Sequence, residues 1–168
     1  MSATKQNHFW QSPFRTVLLS GFVAGCLDMT TAIVVYAVIK EKTTAEKLLR
    51  YIASSIFKDK ANTGGSEMMV YGMIIHFLIA YTFAILYFFL YPRIAVLRKQ
   101  PIISAIVYGS FVWVVMNIIM VPLVFSRPYA YTTLESLLTS LIILIIMIGL
   151  PVSLITPKYY AARNNTPG

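Results

Sequence analysis

Charge is scarce in this 168-residue chain: 12% of the residues are Asp, Glu, Lys or Arg, against about 25% in an ordinary soluble domain. The scarcity is also uneven. Four stretches, 16–39, 68–92, 100–126 and 136–157, together hold 98 residues and one formal charge, Asp28, while the other 70 residues hold 19 charges. A water-soluble fold is therefore excluded. Cysteine is limited to Cys26, so no intramolecular disulfide can form, and two histidines without CxxC or HxxxH spacing leave no zinc site. No metal or other cofactor is expected. Carboxylates are few, with no pair placed for acid/base work, and no glycine-rich phosphate loop is present.

What is abundant is apolar length. A hydrocarbon core about 30 Å thick needs roughly 20 residues of helix, and each stretch satisfies that requirement. The chain reads as all-α, a polytopic bundle of four transmembrane helices forming a single membrane domain over residues 1–168. The spans are expected at 16–39, 68–90, 102–125 and 134–155, with Pro122 kinking the far end of the third. Val23-Ala24-Gly25-Cys26 imitates a lipoprotein cleavage site, but the apolar run continues to Ile39, as a full span does. Between the first two spans, Thr43-Thr44-Ala45-Glu46 forms a capping box ahead of Leu48, Leu49, Ile52, Ala53 and Ile56. About 14 residues, 44–57, are too few to cross a bilayer, so we expect an amphipathic interfacial helix with Lys47 and Arg50 on its polar side. The tight turn around Arg93, Arg98 and Lys99 makes spans two and three antiparallel neighbours.

The net charge of +8 comes from basic residues at the ends of apolar runs, where they meet anionic lipid headgroups. Nucleic acid is not an expected partner; the lipid bilayer is. Phe9, Trp10 and Phe14 before the first span, and Tyr129 and Tyr131 before the fourth, read as aromatic anchors. With the N-terminus inside, each side carries seven Lys and Arg, but the short loops hold three inside against one outside. That favours both termini in the cytoplasm.

Asp28 lies mid-span, where an unpaired carboxylate costs about 3 kcal/mol on insertion scales. His76 and Asn117 are its natural partners. At about 1.5 Å per residue, Asp28, His76 and Asn117 fall within about 5 Å of one depth measured from the same membrane face. Each belongs to an i+4 row of mostly small residues: Ser20, Ala24, Asp28, Ala32; Gly72, His76, Ala80, Ala84; Ala105, Gly109, Trp113, Asn117. With Gly21 and Gly25, the glycines Gly72 and Gly109 are expected to let the spans approach closely. Ser136, Thr139 and Ser140 could give the fourth helix a polar face, or back-bond to their own chain; Glu135 reads as an end-of-helix residue outside the cluster. Two uses of the cluster stay open: interhelical hydrogen bonds that hold the bundle, or a polar site for a proton or small solute.

The segments Gly21-Phe22-Val23-Ala24-Gly25-Cys26-Leu27-Asp28, Gly72-x-x-x-His76-Phe77, Tyr108-Gly109-x-x-x-Trp113-x-x-Met116-Asn117 and Val121-Pro122-Leu123 resemble a widespread family of small four-helix bacterial inner-membrane proteins, distantly YagU-like. The likeness spans roughly residues 16–157. It implies four helices, a bacterial cytoplasmic membrane and no assigned biochemical activity. Asp28, His76, Trp113 and Asn117 match the family pattern, which has glycine at the positions of Ser55 and Lys58 and an aromatic residue near Asn62. The expected role is non-enzymatic, a structural, interaction or stress function in the membrane. The alternative is a small proton-linked transporter or channel component using the Asp/His/Asn cluster, in which case a homo-oligomer would enlarge the enclosed space. A third reading is a lipid-modifying enzyme with its site beneath the 44–57 helix.

Overall fold

The computed structural model describes residues 10–125 and 133–164, all helical or in short connections, with no strand among them. Lys5, Phe9, Arg127, Tyr129 and Tyr131 lie outside the described residues. Four helices are long and apolar enough to cross a membrane: α1 (Pro13–Ile39), α4 (Glu67–Leu90), α6 (Pro101–Phe125) and α7 (Leu134–Asn164). Between them lie α2 (Ala45–Phe57), α3 (Lys60–Thr63) and α5 (Ala95–Lys99). The chain is thus an all-α, multi-pass membrane protein.

Helix α1 begins three residues before the expected boundary because Ser12 caps it, accepting from Arg15 N–H, and Pro13 occupies the first turn, where its missing donor costs nothing. Helix α7 runs past Pro157 to Asn164 instead of stopping near Ile155. Its last turns are held by aromatic packing, with the Tyr160 hydroxyl donating to Phe88 O at 2.9 Å and its ring packed on Phe88 and Tyr91. The α1 helix passes unbroken through Cys26.

The closest backbone approaches are α1 with α4, α1 with α7, and α6 with α7. Helices α4 and α6, expected as direct neighbours, are bridged by tyrosines: Tyr87 and Tyr108 meet edge to face, Tyr87 shares a hydrogen with Ser104 Oγ, and the Tyr108 hydroxyl donates to Phe83 O. Glycines set the tight contacts. A Cβ at Gly109 would strike the Ile145 backbone, and one at Gly149 the Ala105 carbonyl, which locks α6 against α7. At Gly21 and Gly25 the added carbon would meet the rings of Tyr81 and Phe77. Gly72 differs from the expectation: it faces the Leu49 carbonyl of α2, so it seats the interfacial helix instead of a second span.

Helix α2 is amphipathic and lies against α4. Its cap is Thr44, whose side chain accepts from Lys47 N–H at 3.1 Å, one residue later than the capping box predicts. Glu46 consequently falls in the first turn and pairs with Arg50 at 2.8 Å. Arg50 is a second correction. Its guanidinium turns inward to donate to Ala61 O and Gly64 O, holding the last carbonyls of α3 where a cation opposes the helix dipole. At the other end, Lys58 has φ 53°, a conformation that favours glycine. Its ammonium donates to Val124 O at 2.8 Å, tying α2 to the end of α6.

Three of the spans contain wide, π-type turns: Ile33–Ile39 in α1, Val115–Met120 in α6 and Ile145–Gly149 in α7. Their closing N–H groups reach five residues back, Lys40 to Val35, Val121 to Met116 and Leu150 to Ile145. Two of these segments directly precede prolines, Pro122 and Pro151. A proline ring crowds the carbonyl four residues back, here Ile118 and Met147, and wider winding relieves that clash. The disturbance expected at Pro122 thus takes the form of π winding upstream of it.

Candidate functional site

The wide turns surround a cavity of about 230 Å³ inside the bundle. Its polar lining is Asp28 and Tyr36 of α1, Tyr51 of α2, His76 of α4, Asn117 of α6 and Ser140 of α7. Met116 and Ile148, also from wide segments, contribute apolar wall, while Leu48, Tyr51 and Ile52 of α2 close the side nearest the membrane face. A single chain supplies the whole lining. Helix α2 therefore lies over the site, held by Gly72 beneath Leu49, by Lys58 on Val124 O, and by Tyr51 stacked on Phe125 at 4.3 Å.

The depth arithmetic brought three residues to one level, and the structure gathers the same three around this cavity. They do not form a mutual hydrogen-bonded cluster. His76 Nε2 lies 2.9 Å from Gly25 O; a carbonyl can only accept, so Nε2 carries the hydrogen and Nδ1 is the nitrogen that can take up a proton. Asn117 Nδ2 donates to Trp113 O on its own helix at 3.0 Å. Asp28 interacts electrostatically with His76, yet its carboxylate accepts no hydrogen bond among the described residues. Trp113 does not line the cavity. It is buried behind the wall, its indole N–H donating to Ser140 Oγ at 2.8 Å, while the Ser140 hydroxyl donates to Leu137 O.

Serine, histidine and aspartate share this cavity, so the hydrolytic arrangement has to be tested. A triad needs the serine hydroxyl bonded to one ring nitrogen and the carboxylate bonded to the other. Here Ser140 bonds to its own helix and to Trp113, and the His76 Nε2 hydrogen is committed to a backbone carbonyl. The hydrogen bonds a hydrolytic triad requires are therefore not made here. Among the described residues no three His, Cys, Asp or Glu side chains come together as a metal site.

Of the α7 hydroxyls, Ser140 alone belongs to the site; Ser136 bonds back to Thr133 at the helix start. Glu135 stands outside it, paired with Lys40 at 3.0 Å on the membrane face. Sequence reasoning missed Tyr36 and Tyr51 as lining residues and offered Ser140 only within a possible polar face of the fourth helix. The i+3 step from Leu48 to Tyr51 was a usable signal, since it puts the tyrosine on the apolar side of α2. Comparison of the chain with family models, with characterised proteins and with solved structures finds no match to any of them.

Proposed function

We propose that the protein binds a small solute inside the membrane and that Asp28 and His76 link occupancy to a proton, the element of a small proton-linked transporter or channel component. The observation that carries this reading is the Asp28 carboxylate, mid-span, facing a cavity with no hydrogen bond among the described residues. In hydrocarbon such a group requires a proton, water or a ligand. His76 beside it supplies an imidazole, which can both donate and accept a proton. The test is proton and solute flux in liposomes containing the purified protein, with Asp28→Asn and His76→Ala compared against wild type. Wild-type flux lost at least tenfold in well-folded variants supports the reading; absence of wild-type flux, with variants that fail to fold, overturns it.

A second reading has the same residues hold the bundle, as a structural or interaction protein. The His76 to Gly25 hydrogen bond favours it, being an interhelical contact of the expected kind, worth about 1 kcal/mol. The flux experiment separates the two.

The same proposal places the protein in a bacterial cytoplasmic membrane, in the family its motifs resemble, with both termini inside. Every acidic residue except Asp28 lies in the 40–67 connection or at the start of α7, so the opposite face carries basic residues without carboxylates. Unpaired cations suit the more anionic cytoplasmic leaflet. A cysteine placed at position 95 should stay unlabelled by an impermeant probe in intact cells; labelling would reverse the orientation.

A further inference from the structure

Above the buried cavity, on the membrane-surface side of α2, lies a second concavity of about 520 Å³. It shares Tyr36, Leu48 and Tyr51 with the cavity below, and adds Lys42, Lys47, Thr43, Ser54 and Asn62 at its rim. No acidic side chain lines it. Of the carboxylates on this face, Glu46 bonds Arg50 and Glu135, which feels Lys42 at longer range, bonds Lys40, while Glu41 and Asp59 stand outside the lining. Neither the Lys42 nor the Lys47 ammonium has an ion-pair or hydrogen-bond partner among the described residues. The lining is thus two ammonium groups outside any ion pair, two hydroxyls and an amide around a floor of leucine and tyrosine.

We infer that this vestibule is a binding site for the phosphate headgroup of an anionic phospholipid. The Thr43 and Ser54 hydroxyls already donate to Thr44 O and Tyr51 O, so the groups that match a phosphate monoanion are the two ammonium groups and the Asn62 amide, and the anion is held chiefly by charge. The surroundings select a lipid over a soluble phosphate. Val38 and Ile39, between Tyr36 and Lys42 in the chain, are 64% and 69% exposed on the lipid-facing surface, and provide an apolar track for an acyl chain hanging from the headgroup. Helix α2 itself is amphipathic and too short to span, so it sits at headgroup depth. The site goes beyond the proton-linked reading and does not depend on Asp28 or His76.

Delipidated protein in detergent would be titrated with phosphatidylglycerol or phosphatidylethanolamine and bound lipid counted by native mass spectrometry. Wild type should prefer the anionic lipid about tenfold, as two lysines near a lipid surface allow. Lys42→Gln with Lys47→Gln should abolish that preference; Lys42→Arg with Lys47→Arg should keep it. Removing two charges on the opposite face, Arg98→Gln with Lys99→Gln, should leave it unchanged. Retained preference in the double glutamine variant, or equal loss in the opposite-face variant, overturns the site. Displacement of the bound lipid by millimolar glycerol phosphate overturns the lipid assignment. None of these outcomes depends on flux.

Discussion

The two halves of the bundle solve the burial problem in opposite ways. Toward the chain termini, Thr16, Ser20, Tyr87, Ser104, Tyr108, Ser153 and Thr156 are all buried, and nearly every polar atom they bring is bonded at once to backbone or to a neighbour. Toward α2, the wide segments Ile33–Ile39 and Val115–Met120 contain no buried residue, and the polar groups there line open space. Membrane helices gain nothing from hiding apolar side chains from one another, because lipid tails are equally apolar; close packing and hydrogen bonds hold them instead. The tyrosine half uses both. The cavity half keeps a few of each, such as His76 on Gly25 O and Leu49 over Gly72, around open space that holds the Asp28 carboxylate. Stability is concentrated at one end of the bundle and chemistry at the other.

That contrast can be broken most severely at Gly109. Valine there must displace the Ile145 backbone, so Gly109→Val should cost about 3 kcal/mol in unfolding measured by steric trapping; a cost below about 1 kcal/mol would show that α6 and α7 are not locked at this point. Next comes Tyr87→Phe, which strands the buried Ser104 hydroxyl and should destabilise by about 1–2 kcal/mol. Thr156 Oγ1 is the one buried side-chain polar atom without a partner among the described residues. Thr156→Val keeps the shape and removes that defect, so melting in detergent should rise, by about 1 kcal/mol in stability; a fall would mean the hydroxyl has a partner such as water. The smallest effect belongs to the open half. Asp28→Asn replaces a carboxyl that holds no hydrogen bond among the described residues, and should leave stability unchanged or raise it, since an ionised carboxylate is disfavoured at that depth; a loss above about 1 kcal/mol would make Asp28 part of the scaffold.

The spans were legible because hydrocarbon excludes charge, so runs without Lys, Arg, Asp or Glu mark them directly. The grouping of Asp28, His76 and Asn117 was legible too, because helical rise is constant and depth follows from counting. Hydrogen-bond register was not. The wide turns depend on how Pro122 and Pro151 crowd the carbonyls behind them while neighbouring helices hold the ladder together, which is a tertiary outcome. Arg50 read as a surface charge because nothing local says that Ala61 and Gly64 will present carbonyls to it. The shift of the α2 cap from Thr43 to Thr44 is similar: two adjacent threonines offer equal caps, and nothing local distinguishes them. Helix α7 outran its expected end because Pro157 signals a stop, while the Tyr160 contacts that override it lie on another span.

The attachments of α2 have a mechanical consequence. It is fastened to α4 where Leu49 meets Gly72 and to α6 where Lys58 meets Val124, two points nine residues apart, or about 14 Å along a helix. Spans α4 and α6 do not pack closely against each other. The surface helix is therefore a cross-tie: at the far end the two spans meet through Tyr87, Tyr108 and Ser104, and at this end α2 bridges the gap between them and roofs the space beneath.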